Sequence, residues 1–163
     1  MKIDKSYFDK EYFESGTKAN YGPYGLAHDL TDRCDRIVEK YRPKRLLDVG
    51  CAYGFFVAQF RMWNIDAYGI DISEHAISMG KKLNFYNGKY DDSKKDVSKN
   101  NDYYISVGDY IFEADAIKIP FPDKFFDLVV SWDVLEHIPE ENISQAISEL
   151  KRVGQRQYHV IAT

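Results

Sequence analysis

The sequence predicts one α/β domain built on a doubly wound, mostly parallel sheet with helices on both faces. Three observations support this expectation. Short buried strands alternate with helical patterns from residue 45 onward, which is typical of parallel strands joined by right-handed crossovers. A glycine turn, Gly50 to Gly54, directly follows the first strand, and Asp71 ends the second strand. Ligands of such sheets bind at the carboxyl ends of the strands, so both features are expected at one site.

Each element follows from its own pattern of apolar residues. A first helix is predicted from Tyr24 to Tyr41, because apolar residues recur there at helical spacing and Pro43 follows. Further helices are predicted from Phe55 to Trp63, from the capping residue Ser73 to about Leu83, and over 141–153. Five strands are predicted in the spatial order 3-2-1-4-5, and they cover residues 45–49, 66–71, 111–114, 126–132 and 158–163.

The chain is expected to divide into two parts. Residues 1–43 form an N-terminal aromatic arm and helix, predicted to act as a lid or cap, and residues 44–163 form the sheet domain. A polar stretch at about 84–110 is predicted to be a mobile surface insertion, because it contains almost no apolar residues over much of its length. Within it, "YISVGDYIFEA" is predicted to form a short hairpin that turns at Gly108-Asp109.

Composition excludes several classes of function. The net charge of -4, without a basic stripe, argues against a dedicated nucleic-acid binder, although a nucleic-acid substrate stays open. The charged N-terminus is unlike a secretory signal, and no apolar run reaches membrane-spanning length. Cys34 and Cys51 have neither metal-type spacing nor the number expected of a disulfide framework. A cytoplasmic location, with no membrane partner and no bound metal, is therefore expected.

The glycine turn and Asp71 together predict a site for a ribose-containing ligand. Glycine allows a ligand to approach the main chain closely, and the next helix offers unpaired N–H groups to a phosphate or a carboxylate. A carboxylate at the end of the second strand can accept hydrogen bonds from both hydroxyls of an unmodified ribose. Alternatively, Asp71 only caps the following helix. The turn reads G-C-A-Y-G rather than G-x-G-x-x-G, which makes a nicotinamide dinucleotide a weak candidate.

Four motifs resemble those of the class I S-adenosylmethionine-dependent methyltransferases (type 11 and 12). "LLDVGCAYG" (46–54) is similar to their acid-x-G-x-G-x-G turn, with Ala52 in place of the central glycine. Asp71-Ile72 corresponds to the second motif. "EADAIKIPFPDKFFD" resembles the third and points to Asp115 rather than to the Asp109 of "VGD", and "DLVVSWDVLEHIP" resembles the fourth. The resemblance covers about residues 45–163 and implies a Rossmann-like fold, S-adenosylmethionine as cofactor and S-adenosylhomocysteine as product.

The resemblance also implies roles for individual residues. The glycine turn would hold the methionine half of the cofactor, Asp71 the ribose, and Ile72 with Asp115 and Ala116 the adenine. The residues assigned to the cofactor are Asp48, Gly50, Cys51, Ala52, Gly54, Asp71, Ile72, Asp115, Ala116, Ser131, Trp132 and Tyr21. The N-terminal aromatic residues Tyr12, Phe13, Tyr21 and Tyr24 are expected either to fold over the cofactor or to pack in the core, and aromatic faces attract a sulfonium.

Asp133 and His137 are the predicted catalytic residues, because a general base is needed if the methyl acceptor arrives protonated. A helical turn that starts at Asp133 would place Asp133, Glu136 and His137 on one face. Three alternatives remain open for this trio. Glu136 and His137 support the loop, or Asp133 or His137 acts as a base, or the group binds a metal as in small-RNA 2′-O-methyltransferases, which carry E-x-x-E-H there.

Members of the family normally add two strands after the fifth, and none follows here. A C-terminally shortened form is therefore expected, with a homodimer contact or a partner chain covering the strand edge at 158–163. The predicted function is methyl transfer to an unidentified nucleophile, on a small molecule or a macromolecule. The alternatives are a non-catalytic or truncated domain that binds the cofactor or its product, and, less favoured, an NAD-dependent oxidoreductase.

Overall fold

The computed structural model describes residues 5–14, 30–86, 89–90 and 104–161. In chain order its strands are β1 (Arg45–Val49), β2 (Asp66–Asp71), β3 (Asn84–Tyr86), β4 (Lys89–Tyr90), β5 (Tyr104–Ser106), β6 (Ile111–Glu113), β7 (Phe126–Trp132) and β8 (Gly154–Val160). Five of them form a parallel sheet in the order β6-β2-β1-β7-β8. If only these five strands are numbered, in the order in which they occur in the chain, their spatial order is 3-2-1-4-5. The predicted topology is therefore confirmed.

Helices cover both faces of the parallel sheet. They are α1 (Lys10–Glu14), α2 (Leu30–Tyr41), α3 (Phe55–Met62), α4 (Glu74–Gly80) and α5 (Glu140–Val153). Residues of α2, α3 and α4 pack on one face, and α5 packs on the other through Ala146, Leu150 and Val153. Because both faces are covered, the central strands are apolar on both sides: Leu46 and Leu47 of β1 are both fully buried, against opposite cores.

The predicted hairpin within residues 104–114 is wrong. β5 pairs antiparallel with β3, in a separate three-stranded sheet ordered β4-β3-β5, whereas β6 pairs parallel with β2 in the main sheet. The polar insertion at about 84–110 is thus partly strand in the described residues, with Phe85 fully buried, and 87–88 and 91–103 lie outside them. Long-range pairing decides these strands, and local turn signals do not report it.

Other boundaries shift modestly. The last strand begins at Gly154, directly after α5, and ends at Val160, rather than covering 158–163. Lys124 explains the abrupt junction, because its ammonium donates to the carbonyls of Lys151 and Gly154 where the helix ends. The described part of α2 begins at Leu30, and the predicted start at Tyr24 lies outside the described residues. None of the described helices combines the length and apolar character that crossing a membrane requires.

Candidate functional site

A cavity of about 500 Å³ opens at the carboxyl ends of β1, β2, β6 and β7. This is the position where a doubly wound sheet binds its ligands. Strand ends and the loops after them form most of its wall, and the N-terminal segment closes one side. The described residues that line it are Phe8, Tyr12, Phe13, Val49, Gly50, Ala52, Ile70, Asp71, Ile72, Glu113, Ala114, Asp115, Ala116, Ile117, Trp132, Asp133, Val134, His137, Ile138, Pro139 and Asn142.

The turn after β1 brings main chain, rather than side chains, to the cavity. Gly50 and Gly54 have φ values of +78° and +86°, in the left-handed region that favours glycine. A Cβ atom on Gly50 would collide with the side chain of Val134, which packs against the turn from the loop after β7. Ala52 holds a positive φ of +48° and lines the cavity in place of the expected glycine. The turn therefore keeps left-handed backbone at Gly50, Ala52 and Gly54.

Asp71 ties together the turns that follow β1 and β2. Its Oδ2 atom accepts from the Ala52 N–H at 2.8 Å, and its Oδ1 atom accepts from the Ser73 N–H at 2.8 Å. Burial raises the pKa of Asp71, and these backbone donors partly offset the increase. Because a carboxylate has about four acceptor positions, unused lone pairs remain toward the cavity that Asp71 lines. The carboxylate is thus held ready for a diol.

Asp115 and its neighbours form the wall beyond Asp71. Ile72, Asp115 and Ala116 all line the cavity, and one Asp115 oxygen accepts from the Ile117 N–H at 3.1 Å. Asp109, the other acid considered from the sequence, is exposed in the turn before β6 and does not line the cavity. An apolar side chain beside a hydrogen-bond acceptor is the combination that an adenine ring and its amino group require.

The loop after β7 places Asp133 and His137 at the cavity. Asp133 has a φ of +52°, and the 3₁₀ turn covers Leu135–His137, so the helical turn of this loop starts after Asp133 and not at it. Asp133 and His137 line the cavity, whereas Glu136 is exposed and lies outside its wall. The backbone N–H of Asp133 donates to the Val160 carbonyl of β8, which fixes the loop.

Comparisons with known proteins agree with this geometry. The family described as "Methyltransferase domain" matches residues 47–161. The 27-O-demethylrifamycin SV methyltransferase of Amycolatopsis mediterranei (strain S699) is 31% identical over 133 residues, which are 78% of this chain and 42% of that protein. The ajmaline N-methyltransferase of Rauvolfia serpentina is 30% identical over 116 residues, 69% of this chain and 33% of the relative.

The chain therefore belongs to the class I S-adenosylmethionine-dependent methyltransferase family. A solved SAM-dependent methyltransferase from Archaeoglobus fulgidus shares the fold with a TM-score of 0.60 at 22% identity, and the match covers 92% of this chain and 57% of that one. The chain spans less than half the length of the two relatives named above.

The N-terminal segment of this methyltransferase domain is joined to the loop after β2 through Ser73. The Ser73 hydroxyl donates to the Phe8 carbonyl at 2.5 Å and accepts from the Ala76 N–H at 3.2 Å, so the residue that caps α4 also holds the segment. The Glu14 Oε1 atom lies 3.2 Å from His75 Nε2, but the two atoms do not form a hydrogen bond. Tyr12 and Phe13 line the cavity, and Phe13 is also buried in the core, whereas Tyr21 and Tyr24 lie outside the described residues.

Four of the assigned cofactor residues lie behind the cavity wall. Cys51 is buried next to Gly69, and Gly54 lies against Val107 and Ile111. Ser131 is fully buried, with its hydroxyl 2.7 Å from His159 Nδ1 in β8. The fourth is Asp48. These residues shape the wall, and their assignment to the cofactor stays a prediction.

Asp48 is 1% exposed, and its Oδ2 atom has no hydrogen-bond partner among the described residues. Burial first, and the nearby Asp71 second, raise the pKa of Asp48 well above its usual value. Two buried acids in one site make each harder to ionise. A buried polar atom without a partner is uncommon in native folds and makes Asp48 a candidate for a functional role.

Sequence reasoning missed part of the cavity wall. The missed residues are Phe8, Val49, Ile70, Glu113, Ala114, Ile117, Val134, Ile138, Pro139 and Asn142. Val134, Ile138 and Pro139 belong to the fourth motif itself, so that motif is the signal that could have found them. Phe8 and Asn142 carry no motif, and only the packing of distant segments brings them to the cavity. Among the described residues, no group of three His, Cys, Asp or Glu side chains is placed to hold a metal ion.

Replacing Ser73 with alanine tests its double role. The variant loses both the cap of α4 and the bond to Phe8, so the free energy of unfolding should fall by about 1 kcal/mol or more. Ser78→Ala, at an exposed position of the same helix, is the matched control and should change it by less than about 0.5 kcal/mol. Denaturant unfolding measures both. Equal stabilities of the two variants would contradict the role given to Ser73.

Replacing Asp48 with asparagine tests the cost of the buried acid. An acid whose pKa is raised in the folded state loses stability as pH rises from its unfolded pKa toward the folded one. Wild type should therefore become less stable relative to Asp48→Asn as pH rises from about 4 to 8, whereas the exposed Asp109→Asn control should keep a constant difference. Thermal unfolding across this pH range measures the effect. A wild type that gains stability relative to Asp48→Asn as pH rises, or that shows no relative change, would disprove it.

Proposed function

We propose that this chain binds S-adenosylmethionine in the cavity and transfers its methyl group to a nucleophile on an acceptor that is still unidentified. The observation that supports this most is the Asp71 carboxylate, held by the Ala52 and Ser73 N–H groups at the edge of the cavity. The donors and acceptors around the cavity fit the cofactor. Buried acids also suit a ligand that carries a sulfonium and an ammonium, because both are cations.

Each side of the cavity has residues suited to one part of the cofactor. Asp71 accepts from the ribose hydroxyls, Asp115 accepts from the adenine amino group, and Ile72 and Ala116 pack on the ring. The left-handed turn around Gly50 leaves room for the methionine half. When bound, the cofactor supplies an already activated methyl group on sulfur. The protein therefore has to orient the acceptor, exclude water and accept one proton where the acceptor carries it.

Asp133 and His137 are the proposed proton acceptors, since both line the cavity in the loop after β7. The acceptor atom forms a bond to the methyl carbon while the carbon–sulfur bond breaks, and the proton of the acceptor passes to one of these side chains. His137 suits this role because an imidazole ring has a nitrogen lone pair that can accept a proton. The imidazole packs edge to face against the Phe8 ring, with a centroid distance of 5.7 Å, and this contact orients the imidazole.

The lid and the cellular location remain further parts of this proposal. Phe8, Tyr12 and Phe13 support a lid role for the N-terminal arm, because they cover one side of the cavity. Both cysteines are buried and unpaired, which suits the reducing cytoplasm. The rival function is a domain that holds cofactor or product without turnover. Retention of Asp71, Asp115, Asp133 and His137 around one cavity favours the enzyme.

Titration of the chain with S-adenosylmethionine, S-adenosylhomocysteine and NAD⁺ tests the binding site. The first two should bind, and NAD⁺ should not. Asp71→Asn should weaken binding about tenfold or more, because the ribose hydroxyls lose a charged acceptor. Calorimetry measures the affinities, with the exposed Asp109→Asn as control. Failure of both adenosyl ligands to bind the folded chain would overturn the proposal, and binding of NAD⁺ alone would favour the oxidoreductase.

Replacing His137 tests the proton acceptor once an acceptor is found. His137→Ala should lower kcat by roughly 10²- to 10⁴-fold at neutral pH and leave the affinity for S-adenosylhomocysteine unchanged. Glu136→Ala, at the neighbouring residue outside the cavity wall, should keep its activity. Single-turnover rates across pH measure the effect. If Asp133→Asn alone abolished turnover while His137→Ala kept the wild-type pH profile, Asp133 would be the base.

A further inference from the structure

We infer that the acceptor half of the cavity selects a neutral or cationic acceptor with an apolar, planar body, and rejects acceptors that carry a carboxylate or phosphate near the reacting atom. The inference rests on the proposed function, because it names the class of acceptor for the same site. The first observation is the charge of the wall. Its described residues include Asp71, Glu113, Asp115 and Asp133, whereas none of them is Lys or Arg.

The acceptor half is the part of the wall that the cofactor does not occupy. Asp71 and Asp115 belong to the nucleoside side, and Glu113 is paired in register with Asp71 at the same end of the sheet. What remains lies around Asp133, between the N-terminal segment and the loop after β7. Its described residues are Phe8, Tyr12, Asp133, His137, Ile138, Pro139 and Asn142. Trp132, which is also assigned to the cofactor, borders them.

Most of this remaining surface is aromatic or apolar. The Phe8 ring packs edge to face against the rings of His137 and Tyr12, with centroid distances of 5.7 Å and 5.0 Å. These three rings therefore border the same part of the cavity. The indole of Trp132 stacks on the ring of Phe56, with a centroid distance of 4.0 Å and nearly parallel planes. This contact fixes the position of the indole. Rings in such positions favour a planar apolar partner by edge and face contacts.

The wall distinguishes acceptors by their charge, because none of its described residues is Lys or Arg. A carboxylate or phosphate that leaves water here would find no basic partner among the described residues, and it would face Asp133. A buried charge without a partner is strongly disfavoured, whereas an ammonium would be attracted to Asp133. The positive end of the α5 dipole borders the cavity at Asn142, but Glu140 and Glu141 occupy its first turn and oppose it.

The pKa of Tyr12, which lines the cavity, agrees with the negative charge of the wall. Its pKa is raised by burial first, and then by Tyr7 and by the charges of Asp71, Asp133 and Glu136. A hydroxyl beside these acids holds its proton more tightly than it would in water. An acceptor hydroxyl in this space would likewise stay neutral until a base removes its proton, which is consistent with selection against anions.

Three ligands that share one indole ring test the inference. They are tryptamine, which is a cation, indole, which is neutral, and indole-3-propionate, which is an anion. Ligand-observed NMR measures their binding to the chain saturated with S-adenosylhomocysteine. Tryptamine should bind about tenfold or more tightly than indole-3-propionate, with indole between them. Asp133→Asn should reduce the ratio to about threefold or less, and the exposed Asp109→Asn should leave it unchanged.

The outcomes separate this inference from the function on which it rests. Binding of S-adenosylhomocysteine is measured in the same samples, and its absence overturns the proposed function. If S-adenosylhomocysteine binds while indole-3-propionate binds as tightly as tryptamine, the charge selection is wrong and the function stands. If none of the indoles binds the product-loaded chain, the planar apolar acceptor is wrong. A ratio unaffected by Asp133→Asn would remove Asp133 from the selection.

Discussion

The hydrogen bonds that Asp71 accepts from Ala52 and Ser73 are the contact on which the rest of the site depends. They join the turn after β1 to the turn after β2, at the ends of two adjacent parallel strands. Because Ser73 also caps α4 and donates to the Phe8 carbonyl, the same small network reaches the N-terminal segment. One carboxylate thus links the glycine turn, a helix start and one wall of the cavity.

This arrangement is costly for the fold. Asp48 and Asp71 are both buried, their charges act on each other, and burial raises the pKa of each. No described basic side chain lines the cavity to compensate them. The buried acids thus lower the stability of the fold at the place where a cationic ligand would be favoured. Functional sites often reduce stability in this way.

The remainder of the domain supports this site through ordinary packing. The sheet is apolar on both faces because helices cover both, and β7 carries the loop of Asp133 and His137 out of the centre of the sheet. Val134 then packs back on Gly50, so the loop after β7 and the turn after β1 are held against each other. The side chains that would bind the cofactor and those that would act on the acceptor therefore lie at a common edge.

The resemblance to the methyltransferase motifs indicated Asp115. The sequence by itself determined the parallel sheet, its strand order, the glycine turn and the position of Asp71. Each depends on local patterns, since alternating apolar runs, turn glycines and acids at strand ends keep their meaning without knowledge of distant residues. Local patterns could not place the 104–106 strand, which pairs with Asn84–Tyr86, nor bring Phe8 to His137. They also could not show that Asp48 is orphaned or that the cavity wall lacks basic residues. These features arise where segments far apart in the chain meet, and burial and charge there are properties of the assembled wall. Only the tertiary structure decided them.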